Sequence, residues 1–124
     1  MKPTPSELEI LQLLWKNGEM TVKEINDEMN SIKETGYTTT LKIMQIMFEK
    51  GFLTREQKGR GHVYKAVLKE EDTKNGLLER FIESTYNGSA ASLVMQALGS
   101  HKASKEELDM IRELLDELEK KGGK

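Results

Sequence analysis

Apolar residues near the start of the chain recur at helical spacing: Leu8, Leu11 and Trp15 lie three and four apart, with Ile10 and Leu14 beside them. Thr4, Pro5 and Glu7 supply an N-cap, a first helical residue and a capping-box glutamate, and Gly18 supplies the stop. The same signal repeats at Thr21 and Glu24, ahead of the stripe Val22, Ile25 and Met29 and the polar break Asn30-Ser31, and predicts a short second helix. A third helix is predicted after the loop Glu34-Thr35-Gly36, with its cap at or near Thr38, running through Leu41 to Lys50 and closed by Gly51. On a helical wheel Leu41, Met44 and Phe48 fall with Tyr37 on the face expected to pack inward, which leaves Thr39, Lys42, Ile43, Ile46 and Lys50 pointing away.

Past Gly51 the period changes from 3.6 to 2. Phe52 to Arg55 and His62 to Val67 are rich in β-branched and aromatic residues and flank Lys58-Gly59-Arg60-Gly61, which predicts a hairpin; a third short strand around Glu19-Met20 has only a weak signal. Three helices followed by a two-stranded ribbon with a basic, glycine-rich tip is the order of a winged helix-turn-helix domain, assigned to residues 1–68. Residues 69–124 read as helical. Leu77, Leu78, Phe81 and Ile82 form one stripe and Leu93, Val94, Ala97 and Leu98 another; a third follows the capping box Ser104/Glu107, with Leu108, Ile111, Leu114, Leu115 and Leu118. A segment of about 50 residues is too thin to bury three stripes alone. The expectation is a helical dimerisation domain in which Leu78, Phe81, Ile82, Leu93, Val94, Leu98, Leu108, Ile111, Leu115 and Leu118 meet a second copy; folding back onto the N-terminal domain is the alternative. The fold class is thus mostly α with a small antiparallel β-wing.

Composition narrows the function. With 124 residues the chain is too short for a large multidomain enzyme, and with no cysteine it has no disulfide, thiolate metal site or cysteine nucleophile. No apolar run approaches the roughly 18 residues of a membrane span, and the first residues lack the pattern of a signal peptide, so a cytoplasmic chain without membrane insertion is expected. Two distant histidines, His62 and His101, and the lack of a glycine-rich nucleotide loop offer no metal site, cofactor or catalytic set.

The net charge of −2 argues against a nucleic-acid partner until it is divided along the chain. From Lys42 to Lys65 stand six cations, Lys42, Lys50, Arg55, Lys58, Arg60 and Lys65, against Glu49 and Glu56, a local +4 that leaves −6 for the rest. That stretch fits a phosphate-binding surface or a chance cluster on a solvated face. Outward Ile43 and Ile46 can pack on thymine methyl groups, or Ile46 can be covered by the wing or a neighbouring helix. Thr38, Thr39 and Thr40 at the start of the third helix can donate to phosphate or serve only to cap it. Lys42 reaches a phosphate or a base acceptor, and Lys58, Arg60 and His62 belong to a hairpin whose glycines allow close approach to a sugar-phosphate backbone.

The runs Glu7 to Trp15, Thr21-Val22-Lys23-Glu24-Ile25, Tyr37 to Leu41, Lys50-Gly51-Phe52-Leu53, Gly61-His62-Val63-Tyr64, Tyr86-Asn87-Gly88-Ser89 and Ser92-Leu93-Val94-Met95 resemble the penicillinase repressor family (BlaI/MecI/CopY) over nearly the whole chain. The resemblance implies a homodimeric winged-helix repressor of a resistance-type operon, binding double-stranded inverted repeats with TACA and TGTA half-sites. It implies that the threonine turn and the exposed side of the third helix read bases, that the hairpin is the wing and that the C-terminal helices make the dimer. Copper-responsive members carry C-terminal cysteine pairs, absent here. Antibiotic-responsive members are inactivated by cleavage at an Asn-Phe bond, with a membrane sensor protease as the implied partner; the matching place here reads Gln96-Ala97, so either the protease preference differs or induction works otherwise. The rival expectation is a winged-helix protein-interaction module that does not bind DNA specifically.

Overall fold

A computed structural model describes residues 2–122. Its elements run α1 (Pro5–Asn17), β1 (Met20–Thr21), α2 (Val22–Asn30), α3 (Tyr37–Glu49), β2 (Leu53–Lys58), β3 (Gly61–Ala66), α4 (Glu70–Tyr86), α5 (Ala90–Ser100) and α6 (Lys105–Gly122). The chain divides into two compact units, Met1–Leu78 and Glu79–Lys124, with the division inside α4.

In the first unit the capping boxes form as the spacing dictates. Thr4 Oγ1 accepts from the Glu7 N–H (3.2 Å) and the Thr4 N–H donates to Glu7 Oε1 (2.9 Å); Thr21 and Glu24 repeat the exchange at 3.1 and 2.8 Å. Each satisfies two backbone donors that an open helix end leaves unpaired. Gly18, at φ 79°, turns the chain out of α1 in a conformation that disfavours any side chain. The weakly signalled strand is present: Met20 pairs with Tyr64 and Thr21 with Val63, giving the antiparallel sheet order β1-β3-β2.

The core gathers Ile10, Leu11 and Leu14 of α1, Val22, Ile25 and Met29 of α2, Met44 and Met47 of α3, and Met20, Phe52, Leu53 and Tyr64 from the sheet side. Trp15 lies partly buried at its edge, where its indole N–H donates to the Leu68 carbonyl (2.8 Å) and ties α1 to the chain leaving the hairpin. Two expectations for α3 need correction. Its cap is Gly36 with no side-chain hydrogen bond, not Thr38, and the helix starts at Tyr37. The inward face is centred on Thr40, Met44 and Met47; Leu41 and Phe48 flank it half-buried and Tyr37 is half exposed, so the helix is rotated toward the 40/44/47 line.

The second unit is built differently. Ser104 and Glu107 form the expected capping box (both bonds 3.1 Å), and the Ser89 hydroxyl caps α5 by accepting from the Ser92 N–H. None of the described residues of α5 or α6 is buried. Leu93, Leu108 and Ile111 are partly covered, whereas Leu114, Leu115 and Leu118 are each more than half exposed. Phe81 and Tyr86 meet edge to face at 5.7 Å.

Candidate nucleic-acid interface

The orientation of α3 is set by a buried polar network. Asn26, on α2, donates through Nδ2 to the Thr35 carbonyl (2.9 Å) and to Thr40 Oγ1 (2.8 Å). Its own Oδ1 accepts from Asn30 Nδ2 (3.1 Å), and Asn30 Oδ1 accepts from the Thr35 N–H (2.7 Å). Two asparagines on one face of α2 therefore hold both the loop before α3 and its first turn, at a point where unpaired amides would carry a desolvation cost.

This geometry sorts the candidates on α3. Thr40 is fully buried and its hydroxyl is engaged by Asn26, so its expected outward role is corrected: it fixes the helix instead of facing a ligand. Ile43 is half-buried against the core, which corrects its assignment to the free face. Opposite Thr40, Met44 and Met47 the helix exposes Thr38, Thr39, Lys42, Gln45, Ile46 and Glu49. Gln45 is absent from the sequence-derived set because an inward line through Tyr37, Leu41, Met44 and Phe48 leaves it on the flank of the buried face, whereas the observed line through Thr40, Met44 and Met47 turns it outward beside Lys42. A glutamine there can offer the bidentate donor and acceptor pair that matches adenine.

The hairpin joins Lys58 to Gly61 across a two-residue turn, Gly59-Arg60, in which Gly59 takes φ 63°. Positive φ at the first turn position matches the twist of the strands and favours glycine. Strand alternation then places Leu53, Arg55 and Gln57 on the face shared with Tyr64 and His62, and Thr54, Glu56 and Lys58 on the face shared with Val63 and Lys65. The first face turns toward α3: Tyr64 is buried and the Arg55 guanidinium stacks on the Phe48 ring, 4.0 Å from its centroid. His62 lies exposed on this side, edge-on to Tyr64 at 6.4 Å.

The six cations are not equally free. Lys50 pairs with Glu7 (2.8 Å) and lies over the Phe52 ring at 5.4 Å. Burial raises the Glu7 pKa, but the hydrogen bond from Lys50 and the Thr4 N–H outweigh it, and the carboxyl titrates below its ordinary range. Lys58 pairs with Glu19 (2.8 Å), which also lies 3.7 Å from Lys65. Lys42 and Arg60 form no ion pair among the described residues. The structure thus brings Thr38, Thr39, Lys42, Gln45 and Ile46 together on one exposed face, with Arg60 at the tip of the ribbon.

A three-helix unit with a short antiparallel sheet, an exposed third helix and a basic hairpin is a winged-helix domain of the DNA-binding kind. Among solved structures the chain is similar to the solution structure of the DNA-binding domain of the repressor BlaI, at 25% identity and TM-score 0.51, over 58% of this chain and 93% of that one. It shares its fold with a MarR family protein from Bacillus stearothermophilus, at 21% identity and TM-score 0.56, over 100% of this chain and 78% of that one. The penicillinase repressor of Bacillus licheniformis is 26% identical over 112 residues, covering 90% of this chain and 88% of the relative. The methicillin resistance regulatory protein MecI of Staphylococcus aureus (strain N315) is 23% identical over 111 residues, 90% of each chain. The family model described as penicillinase repressor matches residues 3–117.

The chain belongs to the penicillinase repressor family. It is a transcriptional repressor with a DNA-binding winged helix, and a regulator rather than an enzyme. No helix among the described residues is long and apolar enough to cross a membrane.

Proposed function

We propose that this protein represses a resistance-type operon by binding, as a homodimer, an inverted repeat of TACA and TGTA half-sites in the cytoplasm. The observation that carries the reading is the exposed face of α3, where Thr38, Thr39, Lys42, Gln45 and Ile46 stand clear of the core on a helix locked by Asn26. Each protomer lays this face in a major groove, with Lys42 and Gln45 meeting base edges or phosphate and Ile46 meeting thymine methyl groups. Arg60 and His62 on the ribbon meet the flanking backbone.

The dimer reading is supported by the apolar side chains of α4, α5 and α6. Leu78, Phe81, Ile82, Leu93, Val94, Leu98, Leu108, Ile111, Leu115 and Leu118 are all exposed or only partly covered in one chain. Apolar area of this kind gains about 25 cal/mol per Å² when a second copy removes it from water. Dimerisation sets the half-site spacing and multiplies the weak affinity of one domain. Release follows loss of the dimer, by proteolysis near Gln96-Ala97 from a membrane sensor protease or by another signal. Gln96 and Ala97 lie inside α5, so cleavage there requires that turn of helix to open first.

The test separates the two surfaces. Thr39→Ala and Lys42→Ala weaken operator binding in a gel-shift titration and leave sedimentation as a dimer unchanged, whereas Leu115→Asp shifts the sedimenting species to monomer before DNA is added. Equal loss of dimer in all three variants contradicts the division.

A further inference from the structure

Four of the six cations between Lys42 and Lys65 have partners within the fold, and two of them, Lys58 and Lys65, share the carboxylate of Glu19. Glu19 belongs to neither the hairpin nor α3. It sits in the turn after α1, one residue before β1, and because Met20 pairs with Tyr64 the next step in register places it beside Lys65. Lys58 and Lys65 occupy the same face of the ribbon, the one turned away from the Phe48 stack. Docking β1 on β3 therefore carries a negative charge onto the wing. All three side chains stay open to solvent, Glu19 36% exposed, Lys58 50% and Lys65 63%, so a polyanion can reach both ammonium groups.

We infer that Glu19 is a built-in competitor for the DNA backbone, lowering the sequence-independent affinity of the wing by occupying Lys58 and Lys65. The inference rests on the DNA-binding reading above and adds to it a residue that sets affinity without touching a base. An exposed ion pair adds little to stability, so the consequence of this one lies in what it denies to other anions. The hydrogen bond from Lys58 lowers the Glu19 pKa and the same contact raises that of Lys58, so both stay charged across the neutral range. Phosphate must displace Glu19 or accept its repulsion, and Glu56 on the same face adds to that repulsion. Base contacts on α3 are untouched by this competition. The ratio of operator to random-sequence binding is therefore carried by α3 alone, against a genomic excess of random sites that the wing is kept from favouring.

The experiment uses the full chain, a TACA/TGTA dyad duplex and a scrambled duplex, titrated by gel shift over a salt series. Glu19→Gln keeps the side-chain volume and leaves the Met20 pairing in place, and thermal unfolding verifies the fold. The variant is expected to bind both duplexes about three- to tenfold more tightly at low salt, with log affinity falling more steeply against log salt by about one phosphate's worth per protomer, about 1.8 for the dimer. The operator-to-scrambled ratio stays unchanged. Glu9→Gln, an exposed carboxylate on α1 without an ion pair among the described residues, serves as the control for net charge and is expected to change the slope far less. In a Lys58→Gln background the gain from Glu19→Gln shrinks. An unchanged slope, a gain equal to that of Glu9→Gln, or a weaker complex in Glu19→Gln overturns the inference, the last because it makes Glu19 a support for the wing. Failure of the unsubstituted chain to prefer the dyad at any salt instead overturns the DNA-binding reading itself.

Discussion

Single residues decide how α3 is held. Asn26 satisfies the Thr35 carbonyl and the Thr40 hydroxyl at once, and Asn26→Leu removes both hydrogen bonds, leaving the buried Thr40 hydroxyl only a long contact to Met29 Sδ (4.0 Å). A loss of about 1–3 kcal/mol in urea unfolding is expected, together with weaker operator binding although Asn26 is itself 92% shielded from any ligand. Glu7 makes a second residue-scale prediction. Its folded pKa lies below the ordinary value of 4.5, so the stability it contributes is complete above that pH and is lost as pH falls through the folded value. Unfolding measured from pH 6 downward declines more steeply in the wild type than in Glu7→Gln, and parallel curves contradict the assignment. Neither network was legible in the sequence. Asn26 and Thr40 are fourteen positions apart and Glu7 and Lys50 forty-three, and local spacing carries no information about such partners.

At the scale of elements the sequence was more informative where a local rule governed. Capping boxes at Thr4, Thr21 and Ser104 and the hairpin around Gly59-Arg60 all depend on residues within a few positions of one another, and all formed. The rotation of α3 was harder because Tyr37, Leu41, Ile43, Met44, Ile46, Met47 and Phe48 spread apolar side chains over more than half the wheel. Only tertiary packing chose the Thr40-Met44-Met47 line, and with it the exposure of Gln45 and the withdrawal of Ile43. Gln45→Ala is accordingly expected to reduce discrimination between the dyad and single-base variants of it by about 1–3 kcal/mol, the scale of one lost bidentate base contact. Competition gel shifts with those variants check it, and uniform weakening on all sequences places Gln45 on phosphate instead. The wing makes the opposite prediction. Arg60→Ala weakens binding to all sequences alike and flattens the salt slope by about 0.9 per protomer, about 1.8 for the dimer.

For the whole molecule, net charge misleads and its distribution does not. The +4 of the third helix and hairpin is reduced further by Glu7 and Glu19 from distant parts of the chain, leaving Lys42, Arg60 and the Phe48-stacked Arg55 without ion pairs among the described residues. Such a surface binds weakly as one copy, which is why the proposed mechanism depends on two. The exposed Leu114, Leu115 and Leu118 of α6 give that second copy an apolar face to cover. The most direct measurement is a titration of the full chain against the TACA/TGTA dyad and a scrambled duplex at rising salt. A dyad complex with two protomers that keeps its preference as salt rises is the predicted result. Equal affinity for both duplexes at every salt concentration contradicts the account.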